Sequence, residues 1–293
     1  MDATTGTLKV PGATLYHEVR GHGPVLLVIS GGVMDSAVLT GFAESLAGRY
    51  TVVTYDRRGN SRSPLDGPDA DQDVATHAGD ARRLLAGVTD APAHVLGVSS
   101  GGLIALELAA RHPGAVRSVV AHEPVAFELL PEAALLREGF DDVRRTARDR
   151  GVGPAMEKFA ALLDLDEEDG GAGAESGESG DGGESGDAAG PLGEPDPATL
   201  EMFARMGRNA AFMLAHEAVP FTRHLPDLDA LKALAPRLVI GVGAESEGQL
   251  PHRAGAALAA RLGLAPVAFP GGHGGFTSRP GPFADVLHRA LGG

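Results

Sequence analysis

Residues 94–113 read HVLGVSSGGLIALELAARHP. The apolar run 94–99 is short and ends in paired serines and glycines, and from Gly101 onward the chain is rich in helix-forming leucine and alanine. A run of that length suits a buried strand, and the residues after it suit a helix. Between them lies Gly97-Val98-Ser99-Ser100-Gly101, a Gly-x-Ser-x-Gly turn. Gly97 and Gly101 lack the Cβ atoms that would collide in so tight a strand-to-helix turn. Ser99 is thereby expected to stand exposed at a helix N-terminus, with the free N–H of Ser100 beside it.

The same alternation extends outward in both directions. Short apolar runs occur at 25–30, 50–55, 116–122, 237–242 and 265–270, with helix-type segments near 37–48, 70–88, 101–112, 251–262 and 281–291. Apolar runs without polar alternation suit strands buried on both faces of a parallel sheet. The pattern therefore predicts an α/β fold with a doubly wound, mostly parallel sheet. The extended start ATLYHEVRG (13–21) is expected to add an edge hairpin.

The alternation breaks between about 125 and 225, where helices are expected over 131–149, 152–163 and 198–216 and no strand is read. This divides the chain into a core, 1–124 and 226–293, and an inserted helical cap, 125–225, over the sheet edge where such folds carry their sites. Within the cap, about 164–197 is rich in Gly, Ser, Asp and Glu and nearly devoid of apolar residues. It cannot bury enough surface to offset the entropy of ordering it, so a solvated, mobile insertion is expected.

The net charge of −14 resides mostly there, since twelve acids without a single Lys or Arg among them fall in that stretch and the remainder carries −2. Nothing in that balance suggests a nucleic-acid or membrane-surface partner. The absence of cysteine excludes disulfides and thiolate metal sites. No two histidines have metal-ligand spacing with a third partner, and no metal or cofactor is inferred. No run approaches the roughly 18 apolar residues of a membrane span. MDATTGTLKVPGATL has neither a basic start nor an apolar segment, so a cytoplasmic location is expected, and a homodimer is compatible with this composition.

A nucleophilic serine requires a base. His273, in PGGHGGF just past the last apolar run, lies among four glycines and is well placed to reach across the strand ends. His17, His22, His77, His94, His112, His216, His224, His252 and His288 read as surface or local hydrogen-bonding residues. The loop ISGGVMDS offers a second N–H for an oxyanion, at Gly32 with Val33 as the alternative.

The serine turn, the SGG loop, TYDRRGNSRS (54–63) and PGGHGGF together resemble the α/β-hydrolase superfamily over nearly the whole chain outside the acidic stretch. The resemblance implies the α/β-hydrolase fold, with Asp56, Arg58 and Gly59 in a structural turn. Where the family most often has His-Gly, this chain has Ser30-Gly31. The family most often carries its triad acid in the loop GVGAESEGQLPHR, but Ser246 stands near that place, flanked by Glu245 and Glu247. A second arrangement in the family puts the acid after the sixth strand. Here that is Glu123 in VVAHEPVAF, where Pro124 restricts its backbone. Glu123 is the favoured acid and Glu245 or Glu247 the alternative. GVSSGG followed by AHEP is similar to the zearalenone lactonases, which open a macrocyclic lactone without a cofactor.

The implied activity is hydrolysis of a carboxylic ester or hydrophobic lactone by Ser99, His273 and Glu123. Perhydrolase or cofactor-free haloperoxidase chemistry would use the same residues, and a non-catalytic ligand-binding protein is the remaining class. Epoxide hydrolases and haloalkane dehalogenases need a carboxylate where Ser99 stands. Phe127, Phe140, Phe159, Phe203, Phe212 and Phe221, with Met156, Met202, Met206 and Met213, concentrate in the expected cap. They suit an apolar pocket for such a substrate, and they equally suit helix packing.

Overall fold

The computed structural model describes residues 3–165 and 196–292. Eight strands form one sheet: β1 (Thr4–Val10), β2 (Ala13–Gly21), β3 (Val25–Ile29), β4 (Thr51–Tyr55), β5 (Ala93–Val98), β6 (Val116–His122), β7 (Leu238–Gly243) and β8 (Val267–Phe269). Their order across the sheet is β1-β2-β4-β3-β5-β6-β7-β8. The expected hairpin is β1 and β2, and β2 also runs antiparallel to β4. Every other neighbouring pair is parallel. The last apolar run contributes only three residues, between Pro266 and Pro270, which have no N–H for the ladder.

Alternate residues of the central strands go to opposite faces. Leu27, Ile29, Val53, Val95, Val119 and Ala121 join a core covered by the helices Val74–Val88, Ser100–Arg111 and Leu250–Leu262. Leu26, Val28, Val52, Leu96, Val98 and Val120 join a second core under Thr40–Leu46 and Pro280–Ala290. Both faces are sealed, which is why these strands read as uninterrupted apolar runs.

Between β6 and β7 the described residues contain helices and no strand: Ala133–Arg150, Val152–Leu163, Pro197–Phe212, Ala218–Thr222 and Leu228–Ala233. The helix expected over 198–216 widens into a π-helical turn at Met213–Glu217. The short Leu228–Ala233 helix was not expected; the Asp227 carboxylate caps it by accepting the Ala230 N–H at 3.0 Å. The residues expected to form a mobile acidic insertion lie outside the described residues from 166 to 195. Among the described residues no helix is long and apolar enough to cross a membrane.

The sheet meets the helix Ser100–Arg111 at van der Waals contact of backbones. A Cβ on Gly97 would lie 2.2 Å from the Gly101 carbonyl oxygen and 2.6 Å from the Ala105 Cβ. One on Gly101 would lie 2.2 Å from the Ile29 carbonyl oxygen. Gly97→Ala is therefore expected to destabilise the protein by about 1–3 kcal/mol through overpacking. Thermal unfolding followed by circular dichroism checks this, and an unchanged midpoint would show that strand and helix can separate freely.

Candidate active site

β5 and the following helix leave Ser99 no ordinary backbone conformation. It connects a strand end to the first residue of a helix at φ 57° and ψ −122°. Its N–H donates to the His122 carbonyl at 2.9 Å, and its own carbonyl accepts the Gly102 N–H at 2.9 Å. Positive φ at a residue with a side chain is costly, and surrounding structure must impose it. The imposed turn carries Ser99 to the wall of a cavity of about 270 Å³.

Glu123 leaves β6 at φ 45° and is also in the left-handed region. Pro124 thus does not hold it extended. Its N–H donates to the Gly241 carbonyl of β7 at 2.9 Å. The side chain is fully buried. Its Oε1 accepts the Gly243 N–H at 2.8 Å and the Ser246 hydroxyl. Its Oε2 lies 2.6 Å from Nδ1 of His273, which stands on the loop after β8. Burial raises the Glu123 carboxyl pKa. The His273 hydrogen bond and charge, with lesser contributions from His122 and Ser246, outweigh that and bring it down to about 2.

The three favoured residues are therefore brought to one edge of the sheet. Ser99 and His273 line the cavity, and Glu123 lies behind the His273 ring. Glu245 is instead paired with Arg279 at the surface, 2.8 Å away, and Glu247 is exposed. Ser246, near the position where the family most often has its acid, serves the carboxylate from the neighbouring strand.

The SGG loop lies directly on the serine turn. A Cβ on Gly31 would be 2.7 Å from the Ser99 Cβ and 3.1 Å from the Ser100 nitrogen. Gly32, at φ 53°, lines the cavity with Ser100, and its N–H donates to the Ser100 hydroxyl at 3.2 Å. Val33 lines the same cavity.

The remaining wall is apolar and comes largely from the helices between β6 and β7. Phe127, Phe140, Phe159, Phe221, Met156 and Met213 line it. Phe212 packs instead on Gly59, and Phe203 is half exposed. Both roles left open for these residues are thus occupied, by different members. His77 is fully buried, edge-on to Phe221, where a surface or hydrogen-bonding role was expected. Burial lowers its pKa well below the usual imidazole range.

Asp56 and Arg58 spend their charges within the fold. Asp56 accepts from Ser36 and Arg62, and Arg58 forms a two-pronged pair with Asp80 at 2.7 and 2.8 Å. The site holds two further buried charges outside the sequence expectations, Arg57 and Glu217, which bond each other at 2.9 and 3.0 Å. Glu217 lines the cavity. A charged residue inside an apolar helical stretch was the available signal for Glu217.

Residues 24–272 match the model of the family described as alpha/beta hydrolase fold. The chain is 33% identical over 297 residues to the uncharacterized hydrolase YraK of Bacillus subtilis (strain 168), covering 99% of this chain and 97% of that one. It is 36% identical over 152 residues to a pimeloyl-[acyl-carrier protein] methyl ester esterase of Chromobacterium violaceum, covering 50% of this chain and 56% of that one. Among solved structures, a thermophilic esterase from Thermogutta terrifontis superposes with a TM-score of 0.69 at 18% identity, covering 99% and 98% of the two chains.

The lowered Glu123 pKa has a thermodynamic consequence. A carboxyl whose folded pKa lies below its unfolded value adds stability that is complete above the unfolded value, 4.5, and is lost as pH falls through the folded value, about 2. The contribution at neutral pH is on the order of 3 kcal/mol. Denaturant unfolding across pH 2–7 is expected to show a steeper acid loss for the wild type than for Glu123→Gln, within roughly pH 2–4.5. Parallel curves would contradict an ionised, buried Glu123 carboxylate.

Proposed function

Since the chain belongs to the alpha/beta hydrolase fold family, we propose that it is a serine hydrolase cleaving carboxylic esters, with a hydrophobic lactone as the favoured substrate. The observation that carries this reading is the strained Ser99 turn opening on the same apolar cavity as His273, whose far ring nitrogen is held by a buried carboxylate.

The chemistry follows from those positions. His273 Nε2 takes the proton as Ser99 Oγ attacks the substrate carbonyl. Glu123 holds Nδ1 protonated and offsets the charge that forms on the ring. The tetrahedral oxyanion is met by the N–H groups of Gly32 and Ser100, at the floor of the SGG loop and the start of a helix. His273 then protonates the leaving alcohol, and in a lactone that alcohol stays attached to the acyl group. A water molecule, deprotonated by His273, releases the acid and restores Ser99. Ionised Glu123 supports this through the neutral range, because its pKa of about 2 keeps it charged there.

A cavity of about 270 Å³ walled by phenylalanine and methionine favours a neutral, apolar acyl group over a charged one. The helices between β6 and β7 supply that wall and act as a cap. The lactone preference draws on the likeness of GVSSGG and AHEP to the zearalenone lactonases, and the ester reading on the esterase relatives.

Ser99→Ala is expected to lower esterase activity by several orders of magnitude and to abolish fluorophosphonate labelling, with the fold retained. Glu123→Gln is expected to lower kcat by roughly 10²–10⁴-fold, because the imidazole loses its orienting anion. Glu245→Gln and Glu247→Gln are expected to leave kcat within about twofold, as changes to solvated surface charges do. Rates on matched lactones, linear esters and thioesters rank the substrate classes. An active Ser99→Ala protein would remove the assignment.

A further inference from the structure

The mechanism above makes no use of Arg57 and Glu217, yet both are buried to within a few percent, at 1% and 3% side-chain exposure. Arg57 sits in the turn after β4, and Glu217 closes the π-helical turn Met213–Glu217 in the helical wall. They are 160 residues apart in sequence. Arg57 Nη1 and Nη2 donate to the two Glu217 oxygens, and Asn60 Nδ2 donates to Oε1 at 3.0 Å. The π turn inserts an extra residue into the helix and so changes which side chain faces the core.

Stability alone does not account for this pair. Removing two ions from water costs several kcal/mol each, and well-packed apolar residues of similar volume usually serve as well. An apolar pair would lack one thing that Arg57 supplies, a third hydrogen bond. Arg57 Nη2 donates at 2.8 Å to the carbonyl of Gly32.

Gly32 needs such a restraint. It has φ 53°, and no heavy atom beyond its two chain neighbours lies within 4 Å of the place a Cβ would occupy, so side-chain packing there does not fix it. What holds it is a hydrogen bond at each end: its N–H to the Ser100 hydroxyl at 3.2 Å, and its carbonyl to Arg57. A substrate oxyanion entering beside the Ser100 N–H would compete for the first of these. The second would then be the remaining restraint on the peptide.

On the serine hydrolase reading above, we propose that Arg57 and Glu217 are positioning residues that fix the Gly32 peptide for the oxyanion and tie that loop to the helical wall. Glu217 orients the guanidinium by a two-pronged bond, and the guanidinium holds Gly32. Neither touches the reacting atoms. The wall that defines the substrate cavity thereby also sets the geometry of the oxyanion site.

The test compares wild type, the double variant Arg57→Met/Glu217→Met, and Arg57→Lys. The readouts are the melting temperature, kcat and KM for p-nitrophenyl butyrate, inhibition by butylboronic acid, and fluorophosphonate labelling of Ser99. The apolar pair is expected to stay folded, since such replacements are often neutral. Its kcat is expected to fall roughly 10²–10³-fold, the scale of losing one oxyanion contact, with boronate affinity falling in step and KM within about threefold. Arg57→Lys keeps the opposite charge for Glu217 but lacks the planar fork needed to serve Gly32 as well, so a loss of at least about tenfold in kcat is expected at nearly unchanged melting temperature. Wild-type kcat in either folded variant would overturn the proposal, as would a loss confined to KM. If the double variant fails to fold, the Arg57→Lys comparison decides alone. A wild-type chain that neither labels nor turns over ester would overturn the hydrolase reading and this inference with it.

Discussion

The contact between β5 and the helix that follows it sets the rest of the site. Gly97 and Gly101 allow strand and helix backbones to touch, and a Cβ on Gly97 would already lie 2.6 Å from the Ala105 Cβ. At that separation the link from strand to helix has no room for a relaxed loop. Ser99 takes the strain, at φ 57°. The Ser99 side chain is thus held out from the sheet edge by backbone packing, at the N-terminus of the helix Ser100–Arg111. The glycines and the serine form one device, in which the absence of two side chains determines the position of a third.

A second strained residue, Glu123, shows how a charge is accommodated inside such a fold. Its carboxylate has lost water entirely, yet remains ionised because a backbone N–H, a hydroxyl and an imidazole surround it. The adjacent parallel strands make this possible. The acid follows β6, β7 bonds its backbone and supplies the N–H of Gly243, the loop after β7 supplies the hydroxyl of Ser246, and the loop after β8 brings His273. An acid on either strand end is compatible with that edge. In this chain the carboxylate follows one strand, and its hydrogen-bonding support comes from the end of the next strand and the loop after it.

Around this rigid edge the helical wall contributes apolar surface and one buried charge. Phe127, Phe140, Phe159 and Phe221 shape the cavity, while Phe212 fills the space over Gly59. Glu217 connects the wall to the turn after β4 and, through Arg57, to the loop beside Ser99. In the turn after β4, Asp56 pairs with Arg62 and Arg58 reaches Asp80 of the helix Val74–Val88, so the stretch that carries Arg57 also ties the fold together.

The sequence by itself determined the layered α/β architecture, because strands sealed on both faces must be apolar throughout and the helices between them must carry a periodic apolar stripe. It also determined Ser99, His273 and Glu123 as candidates, because a tight turn, a glycine-flanked histidine and an acid at a strand end are local signatures. Tertiary structure decided which glutamate meets His273, since β6, β7 and the loop after β8 come together only when the sheet is assembled. It decided which aromatic residues line the cavity and which pack, because helical period marks a face without naming its neighbour. It alone brought together Arg57 and Glu217. Each reads as an ordinary charged residue until burial leaves the guanidinium and the carboxylate with one another, and a glycine carbonyl, in place of water.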